Sequence, residues 1–256
     1  ADLYVSGSNR IFFATGEGEF EEGGGSAFRW ETFGPEDDPG GVAAAHLDAG
    51  GRVDLVVGQH YGSNADQGKR VPIRVLMNRP GDSPDRPHFV ALDEGSGLSG
   101  LTTRAPHVEI ADFDDDGRPD LMVGVATSST TPLVYRNVSG AGTDLRFEAV
   151  APPRSDLYWA AGAVADFDRD GRLDVALAPF DAASPTVIAR NVGSTGHWWA
   201  VAAPPGTEVT VQTGDSATTR IVNGSSGFSS GPASVAWFGL PGRSVRSAAL
   251  TFPDGR

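Results

Sequence analysis

Two segments of this chain are near copies of each other. Residues 109–124 read EIADFDDDGRPDLMVG and residues 163–178 read AVADFDRDGRLDVALA, which places the first loop aspartate at 112 in one and 166 in the other. A weaker copy, AAAHLDAGGRVDLVVG, lies at 43–58, and the opening ADLYVSG aligns Asp2-Leu3 with Asp54-Leu55 as the second half of a fourth copy. Self-similarity at a period of roughly 50–65 residues constrains the fold strongly, because such units bury their faces by stacking on one another.

Every unit has the same coarse pattern. A short strand of small apolar residues (Val108–Ala111, Ala161–Ala165) runs into an acidic turn, and a second strand (Asp120–Val125, Leu173–Ala178) leaves it. A third strand follows (Ile73–Met77, Leu133–Tyr135, Val187–Ala189), then a fourth (His88–Leu92, Leu145–Val150, Trp198–Ala202). No window has a useful helical period. The expected class is therefore all-β: blades of four antiparallel strands in a partial or small β-propeller, followed by a β-rich C-terminal module. The units fall near 1–40, 41–100, 101–155 and 156–203, with the module at 204–256. The 34 glycines and 18 prolines suit many tight turns.

The turn carries the chemistry. Asp112, Asp114 and Asp116 stand at positions 1, 3 and 5, Gly117 at 6 and Asp120 at 9; Asp166, Asp168, Asp170, Gly171 and Asp174 repeat them. Alternating carboxylates converge on one small space, the glycine permits the sharp turn, and the main-chain carbonyls of Arg118 and Arg172 at position 7 can add an oxygen. A large, hard cation that takes six to eight oxygens fits such a loop, so calcium is preferred to magnesium. The bland alternative is a solvated Asp-Gly hairpin turn, but three alternating carboxylates repel one another without a cation. The copy at 46–54 has lost carboxylates at positions 1 and 5, leaving His46, Asp48, Gly50 and Asp54; it is read as a structural turn, with Asp48 and Asp54 a weak third metal site. The expectation is two calcium sites and a weak third.

Composition narrows the partners. The formal charge is −13, which repels nucleic acid and anionic lipid, and no apolar run reaches the roughly 18 residues of a membrane span. Cysteine is absent, which excludes disulfides and zinc–thiolate sites. Gly227-Phe228-Ser229-Ser230-Gly231 matches a nucleophile-elbow pattern, but the elbow needs a strand-to-helix turn and this region reads as strands and loops. The five histidines (46, 60, 88, 107 and 197) have no zinc-protease spacing. Leu173-Asp174-Val175 resembles an integrin-binding tripeptide, although Asp174 is already a candidate ligand. Asn137 and Asn223 head glycosylation sequons. In the pairs Tyr158-Trp159 and Trp198-Trp199, alternation sends one ring to each face of a strand. The acidic segment Gly16–Gly25 reads as a flexible loop.

These loops and their flanking strands resemble FG-GAP repeats, also called VCBS repeats, the calcium-loop blades of integrin α-subunit propellers and of many bacterial secreted proteins. The resemblance covers roughly residues 1–203. The segments Gly206-Thr-Glu-Val-Thr-Val-Gln, Ala236-Trp-Phe-Gly-Leu and Phe252-Pro-Asp-Gly-Arg256 are similar to the ASPIC/UnbV module that follows such repeats in the cartilage acidic protein family. Family propellers have about seven blades; this chain has three and a half recognisable units. Either upstream blades are missing, or the ring is smaller, or strand Ala248–Phe252 closes it against residues 1–5. The resemblance implies a calcium-binding, extracellular or cell-surface module that binds a protein or glycan and is not an enzyme. The opposing implication is a natural-product biosynthesis protein of the UnbV kind, which can be catalytic and would lie in a bacterial cytoplasm. No sequence signal fixes the oligomeric state.

Overall fold

The computed structural model describes residues 2–5, 10–16, 18–23, 37–48, 50–61, 73–81, 87–92, 96–98, 107–123, 134–140, 145–150, 159–179, 181–193, 196–224, 226–227 and 231–255. Their regular structure is all strand. The first sheet joins β1 (Leu3–Val5), β2 (Arg10–Gly16) and β3 (Glu19–Glu22) in that order. The second is β4 (Asp37–Ala45), β5 (Asp54–Tyr61), β6 (Arg74–Arg79) and β7 (His88–Ala91); the third is β8 (Val108–Ala111), β9 (Asp120–Val123), β10 (Val134–Asn137) and β11 (Phe147–Val150). The fourth has three strands, β12 (Trp159–Ala165), β13 (Asp174–Pro179) and β14 (Val187–Ala189). All neighbours in these sheets pair antiparallel, as expected of blades.

Alternation along the second strand of each blade explains how the sheets stack. Leu55 and Val57 of β5 join Ile11, Phe13 and Leu76 in one apolar cluster, while Val56 between them joins Ala43, Val75, Val108 and Leu121 in the next. In β9, Leu121 and Val123 enter that same second cluster, and Met122 faces Val164, Val175 and Leu177 in a third. These strands are buried on both faces, so their apolar runs read as continuous rather than as an inside and an outside. A fully buried Val or Leu contributes about 1.5–3 kcal/mol of hydrophobic stabilisation, and the middle strands hold blade to blade in this way.

Three readings change. The acidic segment 16–25 is not all loop, because Glu19–Glu22 forms β3 and pairs with β2. The fourth strand expected for the last blade, β15 (Trp198–Ala202), pairs with β18 (Val235–Gly239) instead of β14. A separate sheet, in the order β17 (Ser216–Ile221), β16 (Glu208–Thr213), β19 (Ser247–Thr251), completes the C-terminal unit. Finally, β19 pairs with β16 and β1 with β2, so among the described residues no ladder closes the chain's two ends on each other. The C-terminal core of Val209, Val211, Val222, Ala236, Phe238 and Leu240 takes in Trp199 of β15 and draws that strand away from the blade.

Candidate metal centre

The two complete loops have the same backbone. Position 4 is left-handed in each, at Asp115 (φ 55°) and Arg169 (φ 61°), and so is position 6, at Gly117 (φ 88°) and Gly171 (φ 87°). The position 1 carboxylates hold this shape: Asp112 accepts main-chain N–H groups from Asp116 at 3.1 Å and Gly117 at 3.0 Å, and Asp166 does the same for Asp170 and Gly171.

Carboxylate oxygens then gather. One from each of Asp112, Asp114 and Asp116, at positions 1, 3 and 5, lies within 4.8 Å of the others, and Asp166, Asp168 and Asp174, at positions 1, 3 and 9, form a second such group. Asp120 and Asp170 stand outside these trios. Oδ1 of Asp114 is buried with no hydrogen-bond partner. A buried acceptor of this kind is costly unless something positive meets it. Burial also pushes Asp112 up to about 7, and it raises Asp115 and Asp116. The first loop thus gathers three carboxylates in a small space, with Arg118 paired to Asp116 but one Asp114 oxygen unmet, and the donor set of hard oxygens fits a calcium-like cation.

The second loop is better compensated. Burial pushes Asp170 upward, but hydrogen bonds from Arg190 and Arg172 outweigh it and hold its carboxyl below the ordinary value. Arg190 also pairs with Asp168. In the first loop the corresponding Arg136 lies 3.9 Å from Asp114. An arginine in or just after the third strand thus faces the position 3 aspartate in each loop, closely in the second and loosely in the first.

The position 9 aspartates act on the main chain. Asp120 accepts the N–H of Phe113 at 2.9 Å and of Asn137 at 2.7 Å. Asp174 accepts those of Phe167 and Asn191, and Asp54 those of Leu47 and Asn78. The partner asparagines complete a clamp, since Asn78, Asn137 and Asn191 donate to the carbonyls of Val53, Pro119 and Leu173. Sequence reasoning missed these asparagines, although Asn137 and Asn191 each follow their aspartate by 17 residues. It also missed what the position 7 side chains do: Arg118 Nε donates to the carbonyl of Asn137 and Arg172 Nε to that of Asn191, both at 2.8 Å.

At 46–54 the arrangement differs. Asp48 accepts the N–H of Gly50 at 2.8 Å and pairs with Arg79 at 2.6 Å, while burial holds the His46 imidazole below its ordinary pKa. Among the described residues no acidic trio forms here.

The C-terminal unit grips the first loop. Trp237 Nε1 donates to Asp115 at 3.1 Å, the N–H of Gly239 to Asp112 at 3.1 Å, and Arg220 Nη2 to the carbonyl of Gly117 at 2.7 Å. A Cβ on Gly239 would lie 2.4 Å from the Asp112 carboxylate, so only glycine fits this approach. Trp198, 43 % exposed, stacks on Trp237 with ring centroids 4.4 Å apart. A cavity of about 280 Å³ lies behind this contact, lined by Ile110, Val164 and Trp237 together with Asp112, Asp166 and Arg220.

Of the other motifs, Ser226 and Gly227 are bridge residues, with Gly227 donating to the carbonyl of Val42, while 228–230 lie outside the described residues, as does Tyr158. Among the histidines, His107 meets Glu109 at 3.1 Å in the interior.

The FG-GAP-like repeat family model matches residues 112–177, the stretch that holds both complete loops. Over 98 % of its length the chain is 29 % identical to cartilage acidic protein 1 of Homo sapiens, and equally so to that of Mus musculus. It is 29 % identical over 84 % of its length to that of Xenopus tropicalis. The resemblance read from the acidic loops stands on these matches. The chain spans about two fifths of the human and mouse relatives, 38 % and 39 %.

Proposed function

We propose, from the likeness to FG-GAP-like repeats and to cartilage acidic protein 1, that this chain is a calcium-stabilised β-propeller segment, extracellular or at the cell surface, that binds a protein or glycan. The observation that carries the cation is the Asp112, Asp114, Asp116 trio, in which one buried oxygen has no partner. Asp112, Asp114 and Asp116 would hold a first ion and Asp166, Asp168 and Asp174 a second, with the carbonyls of Arg118 and Arg172 as further oxygens. Asp120 and Asp174 also hold the loop to the third strand. The ion supplies charge neutralisation and ties the turn together. Residues 204–256 then serve as an ASPIC/UnbV-like module fastened to the first loop.

A catalytic role gains no support from the cavity. Its carboxylates, Asp112 and Asp166, are already hydrogen-bonded within their own loops, so among the described residues no separate base faces the space. The surface-facing Trp198 of the stacked pair suits a glycan, since an exposed aromatic face can meet a sugar ring. Among the described residues no helix is long and apolar enough to cross a membrane.

Thermal melts of metal-free protein, of protein in millimolar calcium and of protein in magnesium test this reading. A calcium-selective rise in Tm of several degrees is expected, because a ligand that binds only the native state stabilises it by mass action. Equal melts, with no calcium found by metal analysis, would overturn it.

A further inference from the structure

Among the described residues the last blade has a strand fewer than the second and third. In the second and third blades the third strand carries a fourth on its outer side: Asn78 lies opposite Phe89 and Met77 opposite Val90, while Asn137 lies opposite Phe147, Arg136 opposite Glu148 and Val134 opposite Val150. Among the described residues β14 pairs only with β13, because the strand that follows it, β15, is held by β18. The edge so exposed is apolar, with Ile188 58 % and Val192 82 % exposed.

The main-chain direction at this edge follows from the clamp. The N–H of Asn191 turns inward to Asp174, as that of Asn137 turns to Asp120, and the next residue in the third blade, Val138, donates outward to Arg146 at 2.9 Å. Donors alternate sides along a strand, so the N–H of Ile188 in β14 faces outward, and Arg190 and Val192, which follow the strand, match the outward-facing Arg136 and Val138 of the third blade. An open row of this kind is a template for a further strand. Charge is available as well: in the third blade Arg136 lies 3.9 Å from Asp114 and 3.7 Å from Glu148 of the fourth strand, and the matching Arg190, which meets Asp168 and Asp170, is still 57 % exposed.

We propose that the outer edge of β14 is a docking site for an extended segment of a partner protein, which adds antiparallel as the blade's fourth strand. The partner chemistry is set by the neighbouring blades: an aromatic residue opposite Asn191, an acidic residue opposite Arg190, a small residue opposite Ala189 and a β-branched residue opposite Ile188. Main-chain hydrogen bonds supply the affinity and alternate side chains the selectivity. The proposal rests on the reading of this chain as a binding module and names its class of protein partner.

The test is fluorescence anisotropy with a labelled peptide Leu-Arg-Phe-Glu-Ala-Val, the sequence of residues 145–150, against the full chain in calcium. Saturable binding is expected, weakened at least about tenfold by Ile188→Pro, which removes an outward N–H. An edge strand tolerates proline on its solvent side, and a melt of the variant checks its fold. A peptide with Lys in place of Glu should also bind more weakly. No saturable binding to a folded protein overturns the proposal, as does equal binding by a folded Ile188→Pro variant. So does sedimentation showing a dimer that Ile188→Pro dissociates, since a second copy then occupies the edge. A calcium-dependent Tm without peptide binding sinks this proposal alone; peptide binding without a calcium effect sinks the cation reading alone.

Discussion

Asp2 accepts the main-chain N–H of Ala14 at 3.0 Å, the contact that Asp54 makes with Asn78, Asp120 with Asn137 and Asp174 with Asn191. In each blade the aspartate that opens the second strand reaches across to the end of the third. Asp2 therefore stands at the position 9 of its blade, and this one bond from the second strand to the third recurs in all four.

Breaking one clamp should be expensive. Asp120 is buried and its two oxygens serve two main-chain donors. Asp120→Ala leaves both N–H groups without a partner, at about 1–3 kcal/mol each, so roughly 2–6 kcal/mol of stability should be lost in a denaturant melt. A loss below 1 kcal/mol would show that the clamp matters little.

Metal-free protein should lose stability as pH rises from about 4 to about 8. Burial pushes Asp54 up to about 6, Asp112 to about 7 and Asp120 to about 8, all from 3.8. Across that window the folded chain holds more protons than the unfolded chain, so stability falls with pH. Bound calcium competes with the proton on Asp112, and the rise in Tm that it gives should grow as pH approaches 7. Melts at pH 5, 6, 7 and 8, with and without calcium, check both signs.

Asp114→Asn should separate the costs of the empty loop from the gains of the filled one. It removes one of the crowded charges, so the metal-free melt should stay level or rise. The calcium-dependent rise in Tm should shrink, because a neutral ligand oxygen binds a hard cation less well. Titration calorimetry with calcium reads the affinity directly.

The left-handed positions give a pair of opposite outcomes. Arg169→Gly removes a side chain from a conformation that costs an L-residue about 1–2 kcal/mol, so it should be neutral or mildly stabilising. Gly171→Ala should destabilise, since the added Cβ would lie 2.3 Å from Trp198 Nε1 at a φ of +87°. Two melts in calcium decide the matter.

Trp237→Phe keeps an aromatic face but loses the bond to Asp115. A stability loss of about 1–3 kcal/mol is expected. Any change in tryptophan emission on adding calcium should weaken with it, which a fluorescence titration measures.

Much of this was legible because the repeats are strict. Val108–Ala111, Val187–Ala189 and Trp198–Ala202 are strands with the bounds the sequence implies, since small and β-branched residues beside fixed turn residues leave little choice. The alternating aspartates before a glycine likewise read as converging carboxylates, yet the two copies gather differently, at positions 1, 3 and 5 in one loop and 1, 3 and 9 in the other. What stayed hidden is tertiary. Nothing near Trp198 says that its strand prefers Val235–Gly239 to Val187–Ala189; that choice is made by a core of residues between 209 and 240. The roles of Arg220, Trp237 and Gly239 were hidden likewise, because their partners on the first loop lie more than 100 residues away. The asparagine clamps were in view but lack the acidic chemistry that draws the eye.

The grip of Trp237, Gly239 and Arg220 on residues 112–117 also bears on where this chain can be divided. A cut at 203, which looks natural from the repeats, would leave the loop at 112–120 without three of its donors and would bare the apolar wall behind it. Blade 108–150 is therefore not a portable part: transplanted into another array it would carry its aspartates and leave their scaffold behind.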